Sequence, residues 1–238
     1  MVRPLFFTLV SLTWLMTGTL FAQQQKETEN QNSSSVSFEA GVDLVSRYIF
    51  RGQEYGQSPA LQPSLSATWK GITLGTWGSY KTNGAGWQET DFYLSKALGP
   101  VTFELWDYWN FSDTLKTDIF NYKKSTTTHL LLADVILSGG ETFPVNFLTS
   151  YLFYGADTER SLYLELQYLC SIGSYDLQFF SGYQPIGTYY GTEGSFVNVG
   201  CSAIRNLQVT PKWEVPLKIS LIMNPNKKSL YLTAAISL

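Results

Sequence analysis

Glu89 and Asp91 stand two residues apart, and Glu39 and Asp43 four apart, inside stretches where apolar and polar residues alternate. On a β-strand, residues at even separation share a face. The same parity puts Glu104, Asp134, Glu165 and Asp176 on the polar faces of their own stretches, with Arg47, Arg51 and Lys218 as the basic residues on such faces. Carboxylates converging on a water-lined path favour cations by direct electrostatics. These spacings therefore point to a cation-preferring lumen. A second reading stays open: a lone buried charge is costly, so Arg47 and Arg51 would pair with Glu89, Asp91 and others in a network that plugs the lumen. Arg47 and Arg51 are expected on one strand near its outer end, facing the same side. There they could select an anion. The favoured reading is structural, with Arg51-Gly52 anchoring the loop that leads to Pro59, because Arg forms bidentate ties to carboxylates.

Little else in the chain suggests chemistry. His129 is the single histidine, and no Cys or carboxylate is spaced to complete a zinc site with it. Its context, Thr126-Thr127-Thr128-His129-Leu130-Leu131, lacks the nucleophile motif of the lipid-cleaving outer-membrane barrels. There is no Gly-rich phosphate loop, metal cluster or nucleic-acid motif. The expectation is no enzyme, no cofactor and no metal.

The elements that must position these residues are strands. From Leu230 to Leu238 the alternation is unbroken, with Leu230, Leu232, Ala234, Ile236 and Leu238 against Tyr231, Thr233, Ala235 and Ser237. An apolar strand left at a sheet edge invites aggregation. A closed membrane barrel removes the edge by pairing the last strand with the first. Twelve strands are expected, at 36–50, 60–69, 72–80, 89–97, 101–111, 126–137, 143–154, 161–169, 175–183, 195–205, 213–223 and 229–238. Those at 126–137 and 143–154 alternate poorly, which leaves their facing open. The connections 70–71, 98–100, 138–142 and 170–174 are short, whereas 51–59, 81–88, 112–125 and 184–194 are long. Short periplasmic turns opposite long outer loops are the pattern of outer-membrane barrels. The loops 206–212 and 224–228 fit it less well. The fold class expected is all-β: a transmembrane antiparallel up-and-down β-barrel of about twelve strands.

Composition agrees. Charged residues are 15 % and aromatics 16 % of the chain, against roughly 25 % charged in soluble proteins. The net charge of −3 gives no argument for nucleic acid. Arg3, the apolar run 5–16 and Leu20-Phe21-Ala22 read as a signal peptide over 1–22. Residues 23–35 read as a disordered periplasmic lead, and 36–238 as the barrel domain. Trp69, Trp77, Trp106, Trp109 and Trp213 lie near strand ends, as interfacial belts require. Cys170 and Cys201 fall on strands separated by another, near ~10 Å apart. That exceeds disulfide reach, so two free thiols are expected.

The stretch Ser46-Arg47-Tyr48-Ile49-Phe50-Arg51-Gly52, then Pro59-Ala60-Leu61-Gln62-Pro63, then Trp77-Gly78-Ser79, then Glu89-Thr90-Asp91-Phe92-Tyr93 resembles the opening of the TorF-like (Gcw-type) outer-membrane porin family. The resemblance covers about 36–108 and implies an outer-membrane barrel of porin type, with no substrate attached. The function expected is passive diffusion of small solutes or ions across the bacterial outer membrane. Its partners would be outer-membrane lipids and, through the terminal strand, the barrel-assembly machinery. The alternative is a filled barrel acting as a structural or adhesive surface protein. The inward residues Trp77, Tyr93, Trp106, Tyr108, Tyr163 and Phe180 leave both readings open, because strand number alone does not settle whether a lumen is filled.

Overall fold

A computed structural model describes residues 35–238 apart from 85, 113, 115 and 116. The expected signal peptide, and the lead up to residue 34, lie outside the described residues. The strands are β1 (Ser37–Val45), β2 (Tyr48–Phe50), β3 (Gln53–Gly56), β4 (Ala60–Trp69), β5 (Ile72–Lys81), β6 (Gln88–Leu98) and β7 (Val101–Phe111). They continue with β8 (His129–Leu137), β9 (Val145–Gly155), β10 (Leu162–Ile172), β11 (Tyr175–Ile186), β12 (Ser195–Thr210), β13 (Trp213–Asn224) and β14 (Ser229–Ser237). All but β2 and β3 form one closed antiparallel barrel of twelve strands, each paired with its neighbour in sequence order. β14 closes on β1 through Asp43↔Ser237, Leu44↔Ile236 and Val45↔Ala235.

Alternation builds this wall. Outward positions such as Phe38, Leu65, Leu74, Phe103, Leu105, Leu166 and Leu232 are exposed, while Gln62, Thr73, Asp91, Thr102, Asp134, Ser150 and Gln167 between them are buried. The face away from solvent is thus largely polar, the reverse of a soluble core. Cys170 and Cys201 are both free, with β11 between their strands.

Three sequence expectations change. The first strand does not run through to Phe50. It leaves the wall at Val45, and β2 and β3 form a separate hairpin, joined by Arg51 and Gly52. Both turn residues have positive φ, 48° and 77°, the conformation of a two-residue type I′ hairpin turn. A straight strand cannot contain that reversal, so Arg47 and Arg51 do not share a strand face.

The expected loop 206–212 is mostly strand. β12 and β13 run on, through a register shift between Gln208 and Thr210, as far as Thr210↔Trp213, leaving a turn of Pro211 and Lys212. The connections at that end of the barrel are then two residues each, except 138–144 between β8 and β9. The expected sixth strand begins later, at His129, because residues 126–128 lie in the connection that precedes it.

The weak alternation of β8 and β9 has two physical causes. A bulge at Leu131/Leu132 places an extra residue on β9 and shifts its facing. In addition, Leu130, Leu132, Ile136, Leu148 and Leu152 are apolar and buried, packed in one cluster with Tyr48 and Phe50 of the hairpin. Their inward sides belong to the same buried cluster as the hairpin's aromatic rings, and Leu148 also lines a small cavity.

Candidate permeation path and its plug

The hairpin lies within the barrel. Tyr48, Ile49 and Phe50 are consecutive and all buried, so both faces of β2 are covered. Tyr48 packs against Trp77 of β5 with ring centroids 5.5 Å apart. Phe50 meets Tyr108 of β7 edge-on at 5.9 Å and Tyr190 at 6.2 Å. At the turn, the Asn224 amide of β13 donates to the Gly52 carbonyl at 3.1 Å. The Lys227 ammonium donates to Gln53 Oε1 at 2.7 Å, and Gln53 Nε2 to the Tyr189 carbonyl at 2.7 Å. Contacts therefore reach the wall on several sides.

Arg51 is the centre of this plug. Its Nη1 donates to Ser150 Oγ of β9 at 2.8 Å and to the Tyr190 hydroxyl at 2.6 Å, and its Nη2 to Asp134 Oδ2 of β8 at 3.4 Å. The guanidinium also lies 4.8 Å from the Phe50 ring centroid and 4.5 Å from that of Tyr163. A planar fork with several donors suits this multiple tie, which an ammonium could not reproduce. Tyr190 is held in place by its own loop. Its N–H donates to Gln184 Oε1 at 2.6 Å, and Gln184 Nε2 braces the carbonyls of Gly187 and Gly191. Burial, partly offset by Arg51, leaves the Tyr190 phenol pushed up to about 12.

The other expected lumen residues separate into groups. Glu165 accepts bonds from the Tyr163 hydroxyl, from Gln167 Nε2 at 2.6 Å and from Asn198 Nδ2 at 2.8 Å. Glu104 accepts from Trp106 Nε1 at 2.7 Å and lies opposite Asp134 across the β7–β8 ladder. Glu89 and Asp91 are buried side by side on β6. Lys218 lines a cavity of about 80 Å³ with Arg51, Glu165, Gln178, Phe180, Asn198 and Ser202.

Glu39 and Asp43 are half-buried on β1. Asp176 accepts from Ser171 Oγ at the β10–β11 turn. Arg47 is largely exposed and pairs with Glu54 of β3 at 2.8 Å, so it ties the hairpin to itself and not to the wall. The bulky inward residues do occupy the interior: Trp77, Trp106, Tyr108 and Tyr163 are buried, and Tyr93 stacks on Trp106 at 4.4 Å.

Two features were missed from sequence. The hairpin was legible in Tyr48-Ile49-Phe50, which breaks the alternation of β1, and in Gly52 between two strand-like runs. The second is His129. It packs outside the barrel, not within it, paired with Trp109 across the β7–β8 ladder. Its Nδ1 is 2.7 Å from Asp107 Oδ1 and its Nε2 is 2.9 Å from the Ile119 carbonyl oxygen. The Tyr122 ring stacks over it at 4.1 Å. Ile119 and Tyr122 are thereby held against the outward face of the wall.

No curated protein matches the chain. A family described as a bacterial protein of unknown function (Gcw_chp) matches residues 29–210. That span takes in the hairpin, its Arg51 anchor and all but the last strands of the wall, and the chain belongs to the Gcw_chp family.

Proposed function

We propose that this protein is an outer-membrane barrel of porin type, passing small cations through a narrow acidic lumen that its own β2–β3 hairpin closes. One observation carries the reading: the interior is lined by carboxylates on β6, β7, β8 and β10, and the element that blocks it is a hairpin held by side chains rather than a strand of the wall. Removing the hairpin leaves the closed wall intact. The small cavity beside the hairpin has a mixed lining, with Glu165, Gln178, Asn198, Ser202, Lys218 and Ser220 among Leu148, Phe180 and Ile222. The outer band of exposed Leu, Phe, Val and Ile is far larger than a soluble monomer leaves in water, which supports a lipid-facing wall. The bacterial outer membrane is the membrane that takes such barrels. Lipids and the barrel-assembly machinery are then its partners, and catalysis has no part in the reading.

The filled-barrel reading, a structural or adhesive surface protein, is favoured by a different observation. The hairpin's aromatic residues are packed into one continuous cluster with the wall. Planar-bilayer conductance across a salt gradient separates the two. The refolded chain is compared with a variant whose residues 47–57 are replaced by a short Gly/Ser link. Discrete steps with a cation-directed reversal potential, enlarged in the variant, support the channel. Verified insertion with no conductance in either would leave the structural reading.

A further inference from the structure

The wall beside Tyr48 holds buried oxygens without a well-formed hydrogen bond, although the Tyr48 hydroxyl and the Asn110 side chain face Glu89 and the Trp109 backbone N–H faces Asp91. Asp91 is 0 % exposed, and neither of its carboxylate oxygens has a hydrogen-bond partner. Glu89 is 5 % exposed and its Oε2 is likewise unpartnered. Gln62 on β4, 1 % exposed, donates through Nε2 to Ser79 but leaves its Oε1 unmatched. The fourth group comes from a different element: the Tyr48 hydroxyl of the hairpin, 3 % exposed, unpartnered and close to both carboxylates.

Among the described residues no cation serves this cluster. Glu89 is flanked across the ladders by Ser79 and Asn110, and Asp91 by Trp77 and Tyr108. Arg51 is engaged with Asp134, Ser150 and Tyr190, and Lys81 donates to the Tyr55 carbonyl. Two buried carboxylates without counter-charge are strongly unfavourable. Every unmatched donor atom here is an oxygen, which is the ligand type of hard cations and not of thiolate- or imidazole-seeking metals.

We propose that Glu89, Asp91 and the Tyr48 hydroxyl, with Gln62 Oε1 beside them, bind one divalent hard cation of the Ca²⁺ class, which fastens the hairpin to the β4–β6 wall. Two carboxylates match one divalent charge. Ca²⁺ accepts an irregular shell of carboxylate, amide and water oxygens, whereas Mg²⁺ demands near-ideal octahedral geometry. The described residues hold no group of three or more His, Cys, Asp or Glu suited to a metal. The site therefore leans on neutral oxygens, and its affinity belongs near the weak extracellular range, about 10⁻⁴–10⁻³ M. The inference rests on the barrel and its hairpin alone and stands whether or not the barrel conducts.

The test uses the full refolded chain in detergent, free of lipopolysaccharide, with Tb³⁺ as the Ca²⁺ probe. Trp77 pairs with Asp91 across the β5–β6 ladder and packs on Tyr48, so both rings can sensitise Tb³⁺ emission. The expected result is saturable emission at one site per barrel, displaced by millimolar Ca²⁺. The thermal midpoint should also rise with Ca²⁺ at constant ionic strength. Asp91→Asn should lose both responses; Glu89→Gln is the second variant if the first fails to fold, and Glu193→Gln in an outer loop should keep both. Absence of saturable emission, emission unchanged in both lumen variants, or a stabilisation that NaCl reproduces would overturn the proposal. Stabilisation by acid with no response to the cation would assign the carboxyls to protons, and would overturn it too.

Discussion

Arg51 reaches from the tip of a hairpin to Asp134, 83 residues further along the chain on β8, at 3.4 Å. Both side chains are buried, 5 % and 2 % exposed, so the pair is desolvated and holds only while the hairpin stays inside. Removing one member leaves the other as a lone buried charge, a loss of roughly 3–5 kcal/mol. Arg51→Gln should lower the unfolding free energy by about that much in a urea titration followed by tryptophan fluorescence. Arg51→Lys should recover little, since one ammonium cannot serve Asp134, Ser150 and Tyr190 together.

Gly52 is irreplaceable for two independent reasons. Its φ is +77°, and a Cβ there would lie 1.9 Å from the Val197 carbonyl oxygen. Left-handed strain for a non-glycine costs about 1–3 kcal/mol, and the clash with backbone adds to it. Gly52→Ala should expel the hairpin, seen as new protease cleavage within residues 46–58 while the barrel persists. Gly84→Ala is the contrast: its φ is +62° with nothing within 4 Å of a new Cβ, and it should show the strain without the cleavage.

Alkaline conditions should loosen the plug. The Tyr190 phenol is pushed up to about 12 by burial first, with Arg51 pulling it partly back, whereas an unfolded tyrosine ionises near 10. Between those values the unfolded chain loses a proton that the folded chain keeps, so stability is whole below about pH 10 and falls as pH rises towards 12. A two-unit shift corresponds to about 3 kcal/mol. Tyr190→Phe should flatten the pH dependence of unfolding over that window; an unchanged slope would place the effect on other tyrosines.

His129 should matter for the outer loop and not for the barrel. It joins Asp107 on β7 to the Ile119 carbonyl in residues 112–128. Each lost hydrogen bond is worth roughly 1 kcal/mol. His129→Ala should open the bond after Lys123 or Lys124 to trypsin, with conductance unaltered.

Period-two alternation, turn residues and loop-length asymmetry are local properties, and the sequence by itself determined through them the all-β class, the twelve wall strands, their polar inner face and the free thiols. The strand from Val101 to Phe111 was legible to the residue, because Val101 to Leu105 alternate strictly and the turn residues Gly99 and Pro100 mark its start, although inward Trp106 and Tyr108 flank outward Asp107. Tertiary structure alone decided what fills the barrel. Tyr48, Ile49 and Phe50 are three consecutive apolar residues that break the alternation of β1, but such a short apolar run fits a covered strand of any kind, so local pattern could not place it as a hairpin within the lumen. The polar partners on β8 and β9, the Tyr190 hydroxyl and the leucines facing inward beside them are contributed by residues about 80 to 140 positions away. Only the closed barrel brings those partners within reach of one guanidinium, and the energy that holds the hairpin inside comes from their joint arrangement, not from any segment's own sequence.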